Sequence, residues 1–137
     1  MARKRIFLDT SALVAYLREG DSCHKQAVAI WDNLRDSQSD LILTNYIMAE
    51  FLTVVRQRIG VKAAIEAGNL IKESLLFTII QADQGLDNRA WEIFKANKDK
   101  NISFVDCVSF ALMKKLKIND AFAFDKHFSK AGFTLLK

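Results

Sequence analysis

The chain contains no proline and only five glycines among its 137 residues. These two residue types interrupt regular structure more strongly than any others, so we expect few breaks between its helices and strands. No linker, internal repeat or low-complexity tract is evident. Half of the residues are hydrophobic and 26% are charged, which is an ordinary balance for a globular protein. We therefore expect residues 1–137 to form a single domain.

Cysteine is scarce and long apolar runs are absent. Cys23 and Cys107 are too few for a disulfide scaffold and lack the spacing of a metal site, so we expect reduced thiols. No stretch approaches the ~18 consecutive apolar residues that indicate a membrane span. The basic start 3–5 resembles that of a signal peptide, but Asp9 interrupts the apolar stretch that follows it. We expect a soluble cytoplasmic protein, whose net charge of +4 mildly favours anionic partners.

Short apolar runs alternate with helical patterns along the chain. The predicted strands are 5–8, 41–43, 75–80, 121–124 and 133–136. The predicted helices are 11–18, 22–36, 45–59, 61–73, 84–96, 103–117 and 126–131. Strands that are apolar on both faces and separated by helices indicate a parallel sheet covered on both sides. The sequence therefore predicts the α/β class, with three layers in the order α/β/α.

Two of the predicted strands end on an aspartate, Asp9 after Ile6-Phe7-Leu8 and Asp125 after Ala121-Phe122-Ala123-Phe124. The carboxyl edge of such a sheet is where ligands bind. Either aspartate could instead cap the helix that follows, by accepting hydrogen bonds from its first backbone N–H groups. Asp106 has a similar alternative, because Ser103 and Asp106 have the spacing of a capping box.

Capping does not explain two other polar positions. Glu50 lies in a mostly apolar helical stripe, where an ionised carboxylate is costly unless it is paired or binds a metal. The arginines of the same helix are not three or four residues away, so we expect a partner from elsewhere in the fold. In 102–113 the polar residues Ser103, Asp106 and Ser109 form a track with a spacing of three. A groove or site facing this track would explain why it continues to Ser109.

The four acids can meet at one edge of the sheet. If the first and fourth strands are neighbours, Asp9, Asp106 and Asp125 converge there, and Glu50 reaches in from the helix after the second strand. Clustered carboxylates repel one another and take up protons unless a cation neutralises them. Oxygen ligands without histidine or cysteine select Mg²⁺ or Mn²⁺ over zinc. Such sites usually act on phosphates, because the metal bridges protein and substrate oxygens.

Four segments, in this order and at these spacings, resemble the PIN domain, the fold of many metal-dependent ribonucleases. They are Ile6–Leu13, Thr44–Phe51, Ser103–Asp106 and Ala123–Phe128. The resemblance covers essentially the whole chain. It implies a parallel five-stranded sheet, usually in the order 3-2-1-4-5. It also implies that Asp9, Glu50, Asp106 and Asp125 occupy the acidic metal-site positions, with the hydroxyl of Ser11 beside the first.

The size of the chain is similar to that of the toxin half of VapBC-type toxin–antitoxin pairs. This likeness implies RNA as substrate, a small antitoxin protein as partner, and a homodimer. Cys107 stands where a small residue is commoner, which puts no catalytic role in doubt. We hypothesise that water activated at the metal attacks an RNA phosphodiester in line. Asp9 and Asp106 are then the primary ligands, and Glu50 and Asp125 complete the metal shells.

Other functions are weaker alternatives. A non-catalytic PIN-like module that binds RNA or protein would keep the fold but would have no reason to concentrate four acids. A metal-free ribonuclease would need His24 and His127 together, but they belong to different predicted helices, and we expect His127 on the surface. A receiver-like domain would need an acidic pair directly after the first strand, where Asp9 stands without an acidic neighbour. We assign no basic residue to RNA, because a charge run is usually solvated surface.

Overall fold

The computed structural model describes residues 3–137, so residues 1 and 2 of the predicted domain lie outside the described range. The strands are β1 (Arg5–Leu8), β2 (Asp40–Thr44), β3 (Phe77–Ile80), β4 (Asp120–Phe122) and β5 (Thr134–Leu135). They form one sheet in the order β3-β2-β1-β4-β5, and every neighbouring pair is parallel. The predicted fold class and the strand order implied by the PIN resemblance are confirmed.

Helices connect these strands throughout residues 3–137. They are α1 (Thr10–Leu17), α2 (His24–Asp36), α3 (Asn45–Arg58), α4 (Val61–Glu73), α5 (Gln84–Ala96), α6 (Phe104–Leu116) and α7 (His127–Lys130). The connections to β2 and β3 move along the sheet in one direction, and the connection to β4 moves in the other. Right-handed crossovers then place the two sets of helices on opposite faces, which gives the predicted three layers.

The core lies along β1 and α6. Ile6, Phe7 and Leu8 are fully buried, as expected for a central strand covered on both faces. Helix α6 is buried without interruption from Asp106 to Met113, so its first turn reaches the sheet edge from inside the core. A carboxylate in that first turn is therefore positioned by rigid surroundings.

Three predicted strands were too long, and one of them is 133–136, of which only Thr134–Leu135 forms β5. Residue Leu75 of the predicted strand 75–80 is 97% exposed, and β3 begins only at Phe77, where its pairing with β2 begins. This strand is at the sheet edge and is only half-buried, so its burial on both faces was wrongly predicted. Strand β4 ends at Phe122, opposite the last residue of β1, rather than at Phe124. Residues 123–125 are thus free to turn over the sheet edge.

The pairing of β1 with β4 brings distant acids together. Phe7 pairs with Ala121 and Leu8 with Phe122, and the backbone N–H of Asp9 donates to the carbonyl of Phe122 at 3.1 Å. Both strands therefore leave the sheet side by side. Phe128 is fully buried against the ring of Phe7, with ring centres 6.1 Å apart, and holds α7 at the same edge.

Neither cysteine forms a disulfide: Cys23 is half-buried and Cys107 is buried, and both are free thiols, as predicted. Within residues 3–137 no helix combines the length and the apolar run that crossing a membrane requires.

Candidate metal centre

Asp9 begins α1 and is nearly fully buried at the end of β1. One of its oxygens, Oδ2, accepts hydrogen bonds from the backbone N–H of Ser11 at 3.2 Å and from the hydroxyl of Ser11. The same hydroxyl accepts from the backbone N–H of Phe124 at 3.0 Å. Ser11 therefore fixes Asp9 and joins it to the segment after β4. The capping alternative is correct for Asp9, and it occupies only one of the two carboxylate oxygens.

Asp106 forms the predicted capping box at the start of α6. Its backbone N–H donates to Oγ of Ser103 at 3.0 Å, and its Oδ2 accepts from the N–H of Ser103 at 3.2 Å. Ser109 is fully buried, and its hydroxyl donates to the carbonyl of Val105 in its own helix at 3.0 Å. The prediction of a groove facing Ser109 is therefore wrong, because the carbonyl of Val105 in the same helix already accepts the hydrogen bond of this hydroxyl.

Asp125 and His127 form a tight turn after β4. Oδ1 of Asp125 accepts from the backbone N–H of His127 at 2.9 Å, which folds the imidazole back towards the acids. Nδ1 of His127 lies 2.8 Å from Oδ1 of Asp125 and 3.7 Å from Oδ2 of Asp106. It is buried and makes no well-directed hydrogen bond within residues 3–137. Nε2 lies 3.1 Å from Oδ2 of Asp99.

The prediction that His127 lies on the surface is wrong, since only 17% of its side chain is exposed. Ligand atoms of Asp106, Asp125 and His127 all lie within 4.8 Å of one another, which is close enough to hold one metal ion. In the sequence, the spacing of Asp125 and His127 after the fourth strand could have indicated that His127 belongs to the site. Its helical pattern gave no sign that the turn at Asp125 would direct the ring inward.

The pKa values of Asp9, Asp106 and His127 are all raised in this cluster. Burial, followed by the neighbouring Asp106 and Asp125 carboxylates, raises the pKa of Asp9 to about 7 against the opposing hydrogen bonds of Ser11. The pKa of Asp106 is also raised, by burial and then by Asp125. Burial lowers the pKa of His127, but the carboxylates of Asp125, Asp99 and Asp106 outweigh it and raise the pKa overall. The cluster therefore holds more negative charge than its surroundings stabilise.

Asp9, Asp106 and Asp125 fit a divalent cation. Each of them commits one oxygen to a hydrogen bond with its own helix or turn. Within residues 3–137 the other oxygen of each accepts no hydrogen bond, so it can face an ion. Three such oxygens suit a hard cation, and the raised pKa of Asp9 shows that positive charge would be favoured there.

Glu50 is placed differently from the other three acids. It lies on α3 beside the buried Ile47 and Phe51 but is itself only half-buried. It therefore lies at the border of the apolar face, and its expected position inside the stripe is wrong. Neither its carboxylate nor that of Asp9 belongs to the close group of Asp106, Asp125 and His127, but Asp9 is near enough for Asp106 and Asp125 to raise its pKa. Whether Glu50 binds a metal stays a prediction.

Two groups of basic residues lie at opposite edges of the sheet. Arg3 pairs with Asp40 at 3.3 Å and Lys4 with Asp120 at 3.0 Å, at the edge where β2 and β4 begin. This edge is opposite the acids. Lys126, which directly follows Asp125, is exposed at the acidic edge. Three further exposed lysines lie beside Asp99 in sequence or in space: Lys98, Lys100 and Lys130.

Comparison with known proteins agrees with this geometry. The PIN domain family model matches residues 6–134. The chain is 36% identical over 129 residues to the 23S rRNA-specific endonuclease VapC20 of Mycobacterium tuberculosis, covering 93% of this chain and 95% of that protein. It is 27% identical over 127 residues to a VapC ribonuclease of Archaeoglobus fulgidus, covering 89% of this chain and 78% of the relative.

Solved structures give the same result for the fold. The crystal structure of Mycobacterium tuberculosis VapC20, described as a sarcin-ricin loop cleaving toxin, matches with a TM-score of 0.83 at 35% identity. The match covers 94% of this chain and 96% of that one. FitAcB from Neisseria gonorrhoeae matches with a TM-score of 0.71 over 96% of each chain. Its identity is only 22%, so this second likeness shows the fold alone.

Proposed function

Because the chain belongs to the PIN domain family, we propose that it is a metal-dependent endoribonuclease that hydrolyses RNA phosphodiester bonds. We also propose that it is the toxin of a toxin–antitoxin pair. The observation that carries the first proposal is the group of Asp9, Asp106 and Asp125 at the carboxyl edge of the sheet, in which Asp9 and Asp106 are buried and the charges of Asp106 and Asp125 raise the pKa of Asp9. A structural role does not require three repelling carboxylates, each with an oxygen left open.

The proposed metal ligands are Asp9, Glu50, Asp106 and Asp125, and the proposed ion is Mg²⁺ or Mn²⁺. The oxygen donors of the acids favour these ions, but His127 adds one nitrogen within the close group, so the expectation of a donor set without histidine is wrong. A divalent cation bound there would lower the pKa of water and neutralise charge that develops on the phosphate. Glu50 would then complete the shell from α3, where its half-buried position leaves the side chain room to move.

The chain contributes the positioning of these acids. The Ser11 side chain holds Asp9, and the capping box with Ser103 holds Asp106, so neither carboxylate has to be ordered when substrate arrives. His127 lies between Asp125 and Asp99 and limits the rotation of Asp125. An acid that is not occupied by the ion could orient or deprotonate the attacking water. Such prior ordering is a main source of catalytic rate.

The substrate class follows from the relatives and from charge. VapC20, which shares 36% of its residues with this chain, is a 23S rRNA-specific endonuclease, so ribosomal RNA is the first substrate to test. The exposed lysines near Asp99 and Asp125 place positive charge beside the acids. These lysines would attract the phosphate backbone of RNA while the acids hold the cation.

Removing the metal is expected to abolish cleavage. Purified protein is incubated with labelled 23S rRNA and with an unrelated structured RNA, in Mg²⁺, in Mn²⁺ and in excess EDTA. Discrete fragments should form with either metal, disappear in EDTA, and return when the metal is restored. Cleavage that continues unchanged in EDTA would contradict the metal mechanism. RNA binding without cleavage under every condition would favour the non-catalytic alternative.

The antitoxin and the homodimer remain proposals, each supported by an exposed apolar surface. A groove between α1, α2 and α4 has walls of Tyr16, Trp31 and Leu70, and the last of these is 64% exposed. We propose that the antitoxin binds in this groove. On α5 the stacked rings of Trp91 and Phe94 are also exposed, and we propose them for contact with a second copy. Such patches on a small protein usually mark interfaces.

Light scattering during size exclusion tests the dimer. The chain alone should elute at twice its mass of 15.5 kDa. Trp91→Asp should shift it to the monomer mass, because a charge would have to be buried against apolar surface. Leu70→Asp, the matched control in the groove proposed for the antitoxin, should leave the dimer intact. A wild-type chain at 15.5 kDa would exclude the homodimer.

A further inference from the structure

We propose that a groove beside the acids binds one nucleotide of the RNA strand, adjacent to the phosphate that is cleaved, and that Arg58 holds the phosphate of this nucleotide. This inference rests on the proposed ribonuclease function. The groove lies between α1, α3 and the segment after β4, and its volume is about 260 Å³. Its apolar walls are Val14, Val54 and Phe124.

The groove adjoins the acidic site. Ser11 lines it, and the hydroxyl of Ser11 is bonded both to Asp9 and to the backbone N–H of Phe124. One side chain therefore separates the groove from the nearest acid. An RNA strand whose phosphate lies at the acids would have to place the neighbouring nucleotide over this groove or over the opposite side near Asp99.

Helix α3 connects the two places. Glu50, Val54 and Arg58 are spaced by four residues and lie on one face of the helix. Glu50 is at the acidic end of this face, and Val54 and Arg58 line the groove. Arg58 is exposed and forms no ion pair within residues 3–137. A guanidinium without a protein partner is suited to bind a phosphate by donating two parallel hydrogen bonds to its oxygens.

An unsatisfied hydroxyl points to the same place. Thr10 lines the groove and is only 7% exposed, and its Oγ1 has no hydrogen-bond partner within residues 3–137. A buried polar atom without a partner costs free energy, so an unoccupied Oγ1 calls for an explanation. Because Oγ1 is itself buried, a ribose or base atom in the groove would supply the missing partner once the Thr10 side chain rotates towards it.

The size and lining of the groove select a nucleotide. Its volume is just below the range of pockets for drug-sized ligands, so one base with its sugar fits and a larger folded element does not. The ring of Phe124 offers a stacking surface for a base, an interaction that tolerates any base sequence. Asp21 is the other charged residue of the groove, and its Oδ1 accepts from the N–H of Cys23 at 2.8 Å. We place the phosphate at Arg58 and away from this acid.

The test compares two arginines of the same helix. Arg56 lies two residues before Arg58 but borders a separate depression with Ile65 and Lys72, so Arg56→Ala is the matched control. Binding of a fluorescein-labelled single-stranded RNA 12-mer is measured by anisotropy in EDTA, over a series of salt concentrations. Arg58→Ala should raise Kd about tenfold and should lower the slope of log Kd against log salt by about 0.7. Arg58→Lys should restore the slope, and Arg56→Ala should leave both values unchanged.

A second variant and a kinetic measurement separate binding from structure. Thr10→Val should raise the melting temperature of the free protein, because the unsatisfied hydroxyl is gone, and should weaken RNA binding. In cleavage assays Arg58→Ala should raise KM with little change in kcat. Identical Kd values and salt slopes for the two arginine variants would overturn the nucleotide site even if the wild type cleaves RNA. A wild type that shows the Arg58 effect but no cleavage would support the nucleotide site and overturn the ribonuclease.

Discussion

Replacing Asp106 with Asn is expected to abolish RNA cleavage and to leave the fold intact. Asn has the same shape, and its carbonyl can still accept the hydrogen bond from the N–H of Ser103 that closes the capping box. The negative charge that holds the cation is lost. Losing several kcal/mol of charge stabilisation in the transition state corresponds to a fall in rate of about 10²–10³-fold or more. Initial rates on labelled RNA with saturating Mn²⁺ measure this loss.

Asp83 supplies the matched control. It caps α5 by accepting from the N–H of Leu86 at 2.8 Å, and it does not belong to the close group around Asp106. Asp83→Asn should therefore keep near-wild-type cleavage, which separates loss of a cap from loss of a ligand. If Asp106→Asn cleaved at the wild-type rate, Asp106 would be only a helix cap. Equal losses in the two variants would show that capping, and not metal binding, limits activity.

The sequence predicted the sheet edge better than the details around it. Asp9 and Asp125 could be placed there because parallel strands share one carboxyl edge, and this rule needs no knowledge of packing. The sequence pattern alone did not show that β1 and β4 are neighbours in the sheet. Only the PIN resemblance implied this strand order. In the structure β1 and β4 are indeed neighbours, and Leu8 pairs with Phe122.

Three residues were misplaced, each through a feature that the periodicity of the sequence does not record. His127 faces inward because Oδ1 of Asp125 accepts its backbone N–H, a local turn that has no periodic signature. Asp99, the other contact of His127, is 28 residues away in sequence. Ser109 was assigned to a groove because hydroxyl bonds to the helix backbone leave no trace in an apolar pattern. Glu50 was judged by its neighbours in sequence, which do not show how deeply a helix face is buried.

Asp9→Asn is expected to make the metal-free protein more stable at pH 8, at the cost of activity. Burial and the neighbouring acids raise the pKa of Asp9 in the folded protein to about 7, from its ordinary value of 3.8. Between these two values the folded state binds more protons than the unfolded state, so the free energy of unfolding falls as pH rises. At pH 8 the full cost is present and is at most about 4 kcal/mol. Asn carries no charge, so the variant avoids this free-energy cost.

Thermal unfolding in EDTA at pH 4.5 and at pH 8 measures this effect. The variant should melt roughly 5–10 °C above wild type at pH 8, and the difference should shrink at pH 4.5, where Asp9 is protonated in the folded state. Saturating Mg²⁺ should stabilise the wild type, by about 2.7 kcal/mol at a hundredfold excess over Kd, and the variant much less. Asp83→Asn should show no gain at either pH. If Asp9→Asn melted below wild type in EDTA at pH 8, the hydrogen bonds from Ser11 would outweigh the repulsion among the acids. The cluster would then need no cation to be stable.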